Sequence, residues 1–123
     1  MVRLLAFVLC FLCTIAHADN RPWTDEEKYW GYSLLTLTLI DYQQTKYISK
    51  TNGLYELNPF LGHKPSMRSI NMHFGLGAPI AYLVFDNADE HRKFLLTSAT
   101  AIEFLIVEHN IKKGIKVNFN FKM

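Results

Sequence analysis

Two carboxylates in this chain sit where carboxylates are expensive. Asp41 interrupts an apolar run, "TLTLIDYQQTKYI" over residues 36–48, with no turn signal on either side. Glu103 is embedded in "TAIEFLIV", residues 100–107. A carboxylate in apolar surroundings must gain donors, gain a cation or take up a proton. The chemistry that follows is a proton or ion site, a general acid–base pair, or a hydrogen-bonded brace that fixes helix pairing. Gln44, Thr45, Asn71 and Asn110 are donors of the right type, and the brace is the favoured reading.

Other chemistries find little footing. His63, His73, His91 and His109 lack the i, i+4 pairing of zinc helices, and no H-E-x-x-H occurs, so no metal is expected. There is no G-x-S-x-G, P-loop or dinucleotide fingerprint, and no cofactor is implied. Ser66 near His63 reads as a helix cap rather than a nucleophile. Whether the chain is an enzyme stays open.

Three helices must position these residues. The first, about 24–50, starts at Thr24 with Glu27 three residues on, a capping box, and meets no breaker before Asn52-Gly53. Leu34, Leu37, Asp41, Gln44 or Thr45, and Ile48 fall on one face of it, so Asp41 continues the packing stripe. An apolar loop, "TNGLYELNPFLGHKP", carries Asn58-Pro59 and Gly62 as turn signals. The second helix, about 66–85, is capped by Ser66. Gly75, Gly77, Ala78 and Ala81 allow a close helix contact, and Pro79 should kink it. The third, about 88–113, stops at Gly114 and aligns Leu96, Thr100, Glu103, Val107 and Asn110. The tail "IKVNFNFKM" alternates as a short extended segment. The expected fold is all-α, a small three-helix bundle.

Composition and charge place the bundle. The chain has 123 residues, room for one domain. Residues 1–18 read as a signal peptide: Arg3, an apolar stretch, then Ala16-His17-Ala18. Both cysteines, Cys10 and Cys13, fall inside it, so no disulfide is expected in the single helical domain, 19–123. A formal net charge of +2 is too small to suggest a nucleic-acid partner. Its distribution says more. Lys46, Lys50, Lys64 and Arg68 share one side with Lys112, Lys113, Lys116 and Lys122, while "TDEE" and "DNADE" take the other. By the positive-inside rule this predicts an inner-membrane protein with its mature N-terminus outside and its C-terminus cytoplasmic; a periplasmic protein is the alternative. The aromatics Trp23, Tyr29, Trp30 and Tyr32 suit the outer interface.

"IDYQQTKYI", then "YELNPFLGHKPS", "INMHF" and a late glutamate and asparagine, resemble small hydrophobic proteins of bacteria and tailed phages. These pair a D-x-x-Q-T helix with an E-x-N-P-x-L-G-x-x-P-S loop and are generally of unassigned function. The resemblance spans Asp41 to Asn110. It points to Asp41, Gln44, Thr45, Glu56, Asn58, Pro59, Gly62, Pro65 and Ser66, and more loosely to Glu103 and Asn110. It implies that Glu56 and Asn58 fold back toward Asp41. The resulting expectation is an envelope protein, phage- or prophage-encoded, that acts by binding or assembly. Its partners would be the lipid bilayer and another envelope protein or its own copy through Gly77 and Ala81. The rivals are a membrane enzyme or proton/ion carrier using the carboxylates, and a soluble periplasmic binding or inhibitory module.

Overall fold

The computed structural model describes residues 21–117, and the expected signal peptide lies outside them. Within that range the chain is helical, with no strand: α1 (Asp25–Lys50), α2 (Met67–Asp86), one 3-10 turn (Asp89–His91) and α3 (Arg92–Lys112). The run through Asp41 is one uninterrupted helix of 26 residues. Its start is the capping box: the Thr24 hydroxyl accepts from Glu27 N, and the Glu27 carboxylate accepts from Thr24 N. Ser66 caps α2 by accepting from Ser69 N. Gly114, at φ 76°, ends α3. Ile115 N reaches back to Asn110 O and Gly114 N to Ile111 O, a Schellman motif whose apolar lock is the buried Ile115. Residues 115–117 have no regular structure, and the rest of the expected extended tail is outside the described residues.

Side-chain pairs fix the topology. Lys93 meets Glu26, the Thr100 hydroxyl reaches Trp30 O, and Asn110 reaches Asp41 and Gln44, so α1 and α3 run parallel. Trp23 stacks on Tyr82 at one end of α2, and Tyr42 packs against Phe74 near the other, so α2 runs antiparallel to both. One end of the bundle therefore gathers Asp25, Glu26, Asp89 and Glu90. The other gathers Lys46, Lys50, Lys64, Arg68 and Lys112.

Two expectations about packing change. The third helix does not begin at residue 88. Ala88 offers no side-chain cap, Asp89 takes a left-handed φ of 40°, and the chain makes a 3-10 turn before α3 starts at Arg92. The glycines of α2 do not bring a neighbouring helix close within the chain: a Cβ at Gly75 or Gly77 would meet nothing within 4 Å. Between its two anchored ends α2 stands off from its neighbours, with Ile70 its one buried side chain, and a cavity fills the gap.

Among the described residues the fully buried side chains are about evenly divided between apolar and polar. The buried apolar side chains are Ile48, Ile70, Leu96, Val107 and Ile115, whereas Glu27, Gln44, Thr45, Arg92, Thr100 and Asn110 are buried beside them. Every buried side-chain nitrogen and oxygen among the described residues has a hydrogen-bond partner. That satisfaction is what makes such an interior tenable.

Candidate functional site

The α1–α3 interface carries a chain of amides. Asn110 Nδ2 donates to Gln44 Oε1 at 3.1 Å and to Asp41 Oδ1 at 3.4 Å, and Gln44 Nε2 donates to Val107 O at 3.3 Å. The helical spacing explains the set. Asp41 and Gln44 are three residues apart on one face of α1, and Val107 and Asn110 are three apart on the facing side of α3. Thr45, one residue further round α1, turns toward the loop instead.

There the resemblance-based expectation about the loop meets a definite geometry. The Thr45 hydroxyl donates to Glu56 Oε2 at 3.1 Å, and Glu56 Oε1 accepts from Asn58 N at 2.9 Å. Asn58 Oδ1 accepts from Phe60 N across Pro59, shaping the turn that Gly62, at φ 75°, completes. Asn58 Nδ2 lies 3.3 Å from His73 Nε2. Glu56 thus ties loop to α1, and Asn58 ties loop to α2. Asn71 stands apart from this set. It is exposed and accepts from the Tyr42 hydroxyl at 2.8 Å, so it serves α1–α2 pairing rather than Asp41.

Glu103 does not join the amide chain. It faces a cavity of about 970 Å³ enclosed by all three helices and partly open to the exterior. Asp41, Thr38, Asn58 and His73 line the same cavity, so it is the cavity, and not a direct bond, that brings the two sequence-marked carboxylates together. Most of the remaining wall is apolar, with Trp23, Phe74 and Phe85 prominent. Gly77 and Ala81 also line it, which turns them toward this space. Among the described residues no three His, Cys, Asp or Glu side chains converge as a metal site requires.

A second polar centre, at the acidic end, had no signal strong enough to mark it in the sequence. Arg92 is fully buried. It donates from Nε to Phe85 O at 2.8 Å, from one terminal nitrogen to Asp86 O at 2.7 Å and from the other to Arg21 O at 3.1 Å. It also lies 3.6 Å from Glu27 and 3.5 Å from Asp89, and packs over the Trp23 ring. The last carbonyls of α2 are therefore capped by the first residue of α3. A basic residue a few positions beyond a helix end can do this, but "DEHRK" reads equally well as a solvated helix start.

Arg21 forks onto Glu27, which also keeps its cap on Thr24 N. The Arg21 hydrogen bonds hold the Glu27 carboxyl at about 2, below its ordinary 4.5. A depressed carboxyl pKa adds stability that is complete above about 4.5, declines as pH falls and is gone below about 2. Glu27→Gln should lower the melting temperature at pH 7 and flatten the loss of stability between pH 5 and pH 2. Thermal unfolding across that range reads both, and an unchanged acid limb would remove Glu27 as its source.

Comparison with known proteins finds no family model, no curated protein and no solved structure that matches this chain.

Proposed function

We propose that this chain is a small three-helix membrane protein of the cell envelope that acts by binding or assembly, its polar cluster bracing the helices within the bilayer. The observation that carries this reading is the inverted distribution of side chains. Leu35, Leu39, Leu76, Leu83, Phe94 and Ile102 are exposed, Phe94 by 70%, while Gln44 and Arg92 are exposed by 0%. A water-soluble bundle does the opposite, hiding its large apolar side chains and leaving amides in solvent. In a bilayer the same arrangement places apolar groups in lipid and pairs polar groups inside.

Lengths agree. At the helical rise, α1, α2 and α3 extend about 39, 30 and 32 Å, against about 30 Å of hydrocarbon. One helical stretch, Asp89–Lys112, is long and apolar enough to cross a membrane by composition alone. α1 and α2 fall short on that measure, α1 because Asp41, Gln43, Gln44 and Lys46 interrupt its apolar run. The acidic end would face outward and the basic end the cytoplasm. The likeness of the loop motif to small bacterial and phage envelope proteins agrees with this placement and adds no activity.

Expressed in a bacterium, the protein should stay with membranes through an alkaline carbonate wash. A fluorescent reporter fused to its C-terminus should light up in the cytoplasm. Release by carbonate or by osmotic shock would sink the membrane reading in favour of a periplasmic module, and a periplasmic C-terminus would sink the orientation.

A second reading, in which the carboxylates handle a ligand or ion, is favoured by one specific feature. Asp41 and Glu103 reach a shared cavity from different helices.

A further inference from the structure

We infer that the cavity between the three helices is a binding site for an amphiphile with a cationic amine head, the head held between Asp41 and Glu103 and the apolar body lying along the aromatic wall. The inference rests on the membrane reading above, which supplies the apolar route by which such a molecule would arrive.

Size comes first. About 970 Å³ is at the upper end of the range for pockets that enclose a small organic molecule. The lining divides as an amphiphile would require. Thr38, Asp41, Asn58, His73 and Glu103 supply the polar part, and the rest is mostly apolar and aromatic, with Trp23, Phe74 and Phe85. Gly77 keeps room beside that wall, since a Cβ there meets nothing within 4 Å.

Charge complementarity selects the head group. No ion pair among the described residues includes Asp41, Glu56 or Glu103. Asp41 receives one long bond from Asn110, on one of its oxygens. Several basic side chains are occupied elsewhere: Arg21 and Arg92 on Glu27, Lys93 on Glu26, Lys112 on Glu108, and Lys64 on the carbonyls that end α1, while Lys46 lies over the Tyr42 ring and is not part of the cavity wall. Lys28 also lines the cavity, but it belongs to the first turns of α1 and pairs with Asp25 at 3.1 Å. Two carboxyl groups in an apolar enclosure are thus left without a cation, the arrangement in which an added ammonium gains most. An anionic head would find no cation on that wall beyond Lys28, which pairs with Asp25, and is disfavoured by the same geometry.

The test uses the full chain, purified in a non-ionic detergent, with Trp30→Phe leaving Trp23, on the cavity wall, as the sole tryptophan reporter in the described residues. Dodecylammonium should change Trp23 fluorescence saturably and bind at least about tenfold more tightly than dodecanol, with dodecanoate weaker still; tenfold is about 1.4 kcal/mol. Gly77→Leu, which fills the cavity from α2, should abolish the response. Asp41→Asn and Glu103→Gln should each lower the affinity for dodecylammonium several-fold and leave that for dodecanol unchanged. Melting temperatures of all variants keep misfolding apart from lost binding. Equal affinities for the amine and the alcohol, or undiminished binding in Gly77→Leu, would overturn the inference. Dodecyltrimethylammonium separates a charge requirement from an N–H donor requirement: tight binding supports the carboxylate pair as a charge site, and loss of binding overturns it in that role. A protein that survives the carbonate wash yet shows no preference for amines refutes this inference alone; one released by the wash refutes the membrane reading.

Discussion

Arg92→Met should destabilise the fold by about 3–5 kcal/mol, the largest effect of any single substitution considered. The guanidinium is fully buried, and it is held by three backbone carbonyls, two carboxylates and the face of Trp23. Methionine fills much of the volume and supplies no donor. The Phe85 and Asp86 carbonyls at the end of α2 would lose their cap, and the buried Glu27 would keep Arg21 as its one cation beside the Thr24 N–H. Arg92→Lys separates charge from geometry. A lysine keeps the positive charge but cannot present a planar fork to three acceptors at once, so it should recover a minority of the loss. Unfolding followed by circular dichroism in detergent measures both. If Arg92→Met were as stable as the parent, the charged end would be a solvated patch and not an anchor for the α2–α3 connection.

Gln44→Leu should cost about 1–2 kcal/mol, and so should Asn110→Leu, because each leaves a buried amide without its partner. With Gln44 removed, Asn110 loses its nearer acceptor and Val107 O its donor. With Asn110 removed, Gln44 Oε1 and Asp41 Oδ1 both lose theirs. The double substitution removes both ends of the pair and should cost clearly less than the sum, which a double-mutant cycle reads as coupling between α1 and α3. Asp41→Asn belongs beside them. Its amide oxygen can still accept from Asn110, so stability should change by less than about 0.5 kcal/mol. A stable Asp41→Asn with impaired amine binding would assign the amides to bracing and the carboxylate to the ligand. Strictly additive losses at Gln44 and Asn110 would instead mean that the amides do not act as a pair.

Much of the scaffold was legible in the sequence because its determinants are local. Thr24 with Glu27, Ser66, and Gly114 are capping signals that work through hydrogen bonds a few residues long, and each marks a helix end where the structure has one. The inward faces of α1 and α3 follow from helical periodicity alone. That periodicity placed Leu34, Leu37, Asp41, Gln44 or Thr45 and Ile48, and Leu96, Thr100, Glu103, Val107 and Asn110, on packing faces. Gln44, Thr45, Ile48, Leu96, Thr100, Val107 and Asn110 are buried, and Leu34, Leu37, Asp41 and Glu103 are half-buried, the last two against the cavity. Local signals failed where the deciding partner was distant in the chain. Arg92 carried no local signal because the carbonyls it caps and the Glu27 it faces meet it only once α2 has turned back. Asn71 looked like a donor for Asp41, but the α1–α2 packing gives it to Tyr42. The glycines of α2 looked like a contact face, and they border empty space, because a small side chain permits close approach without compelling it.

The sequence by itself therefore determined the number of the helices, their capped ends and most of their inward faces, since caps and periodicity act over a single turn; the uncapped start of α3 was not among them. Only the tertiary structure decided which polar groups meet. Parallel packing of α1 and α3 joins Asn110 to Gln44 and Asp41. The stand-off of α2 opens the cavity that Asp41 shares with Glu103. Hydrogen bonds and burial depend on distances between residues some 60–70 positions apart, which no local pattern encodes.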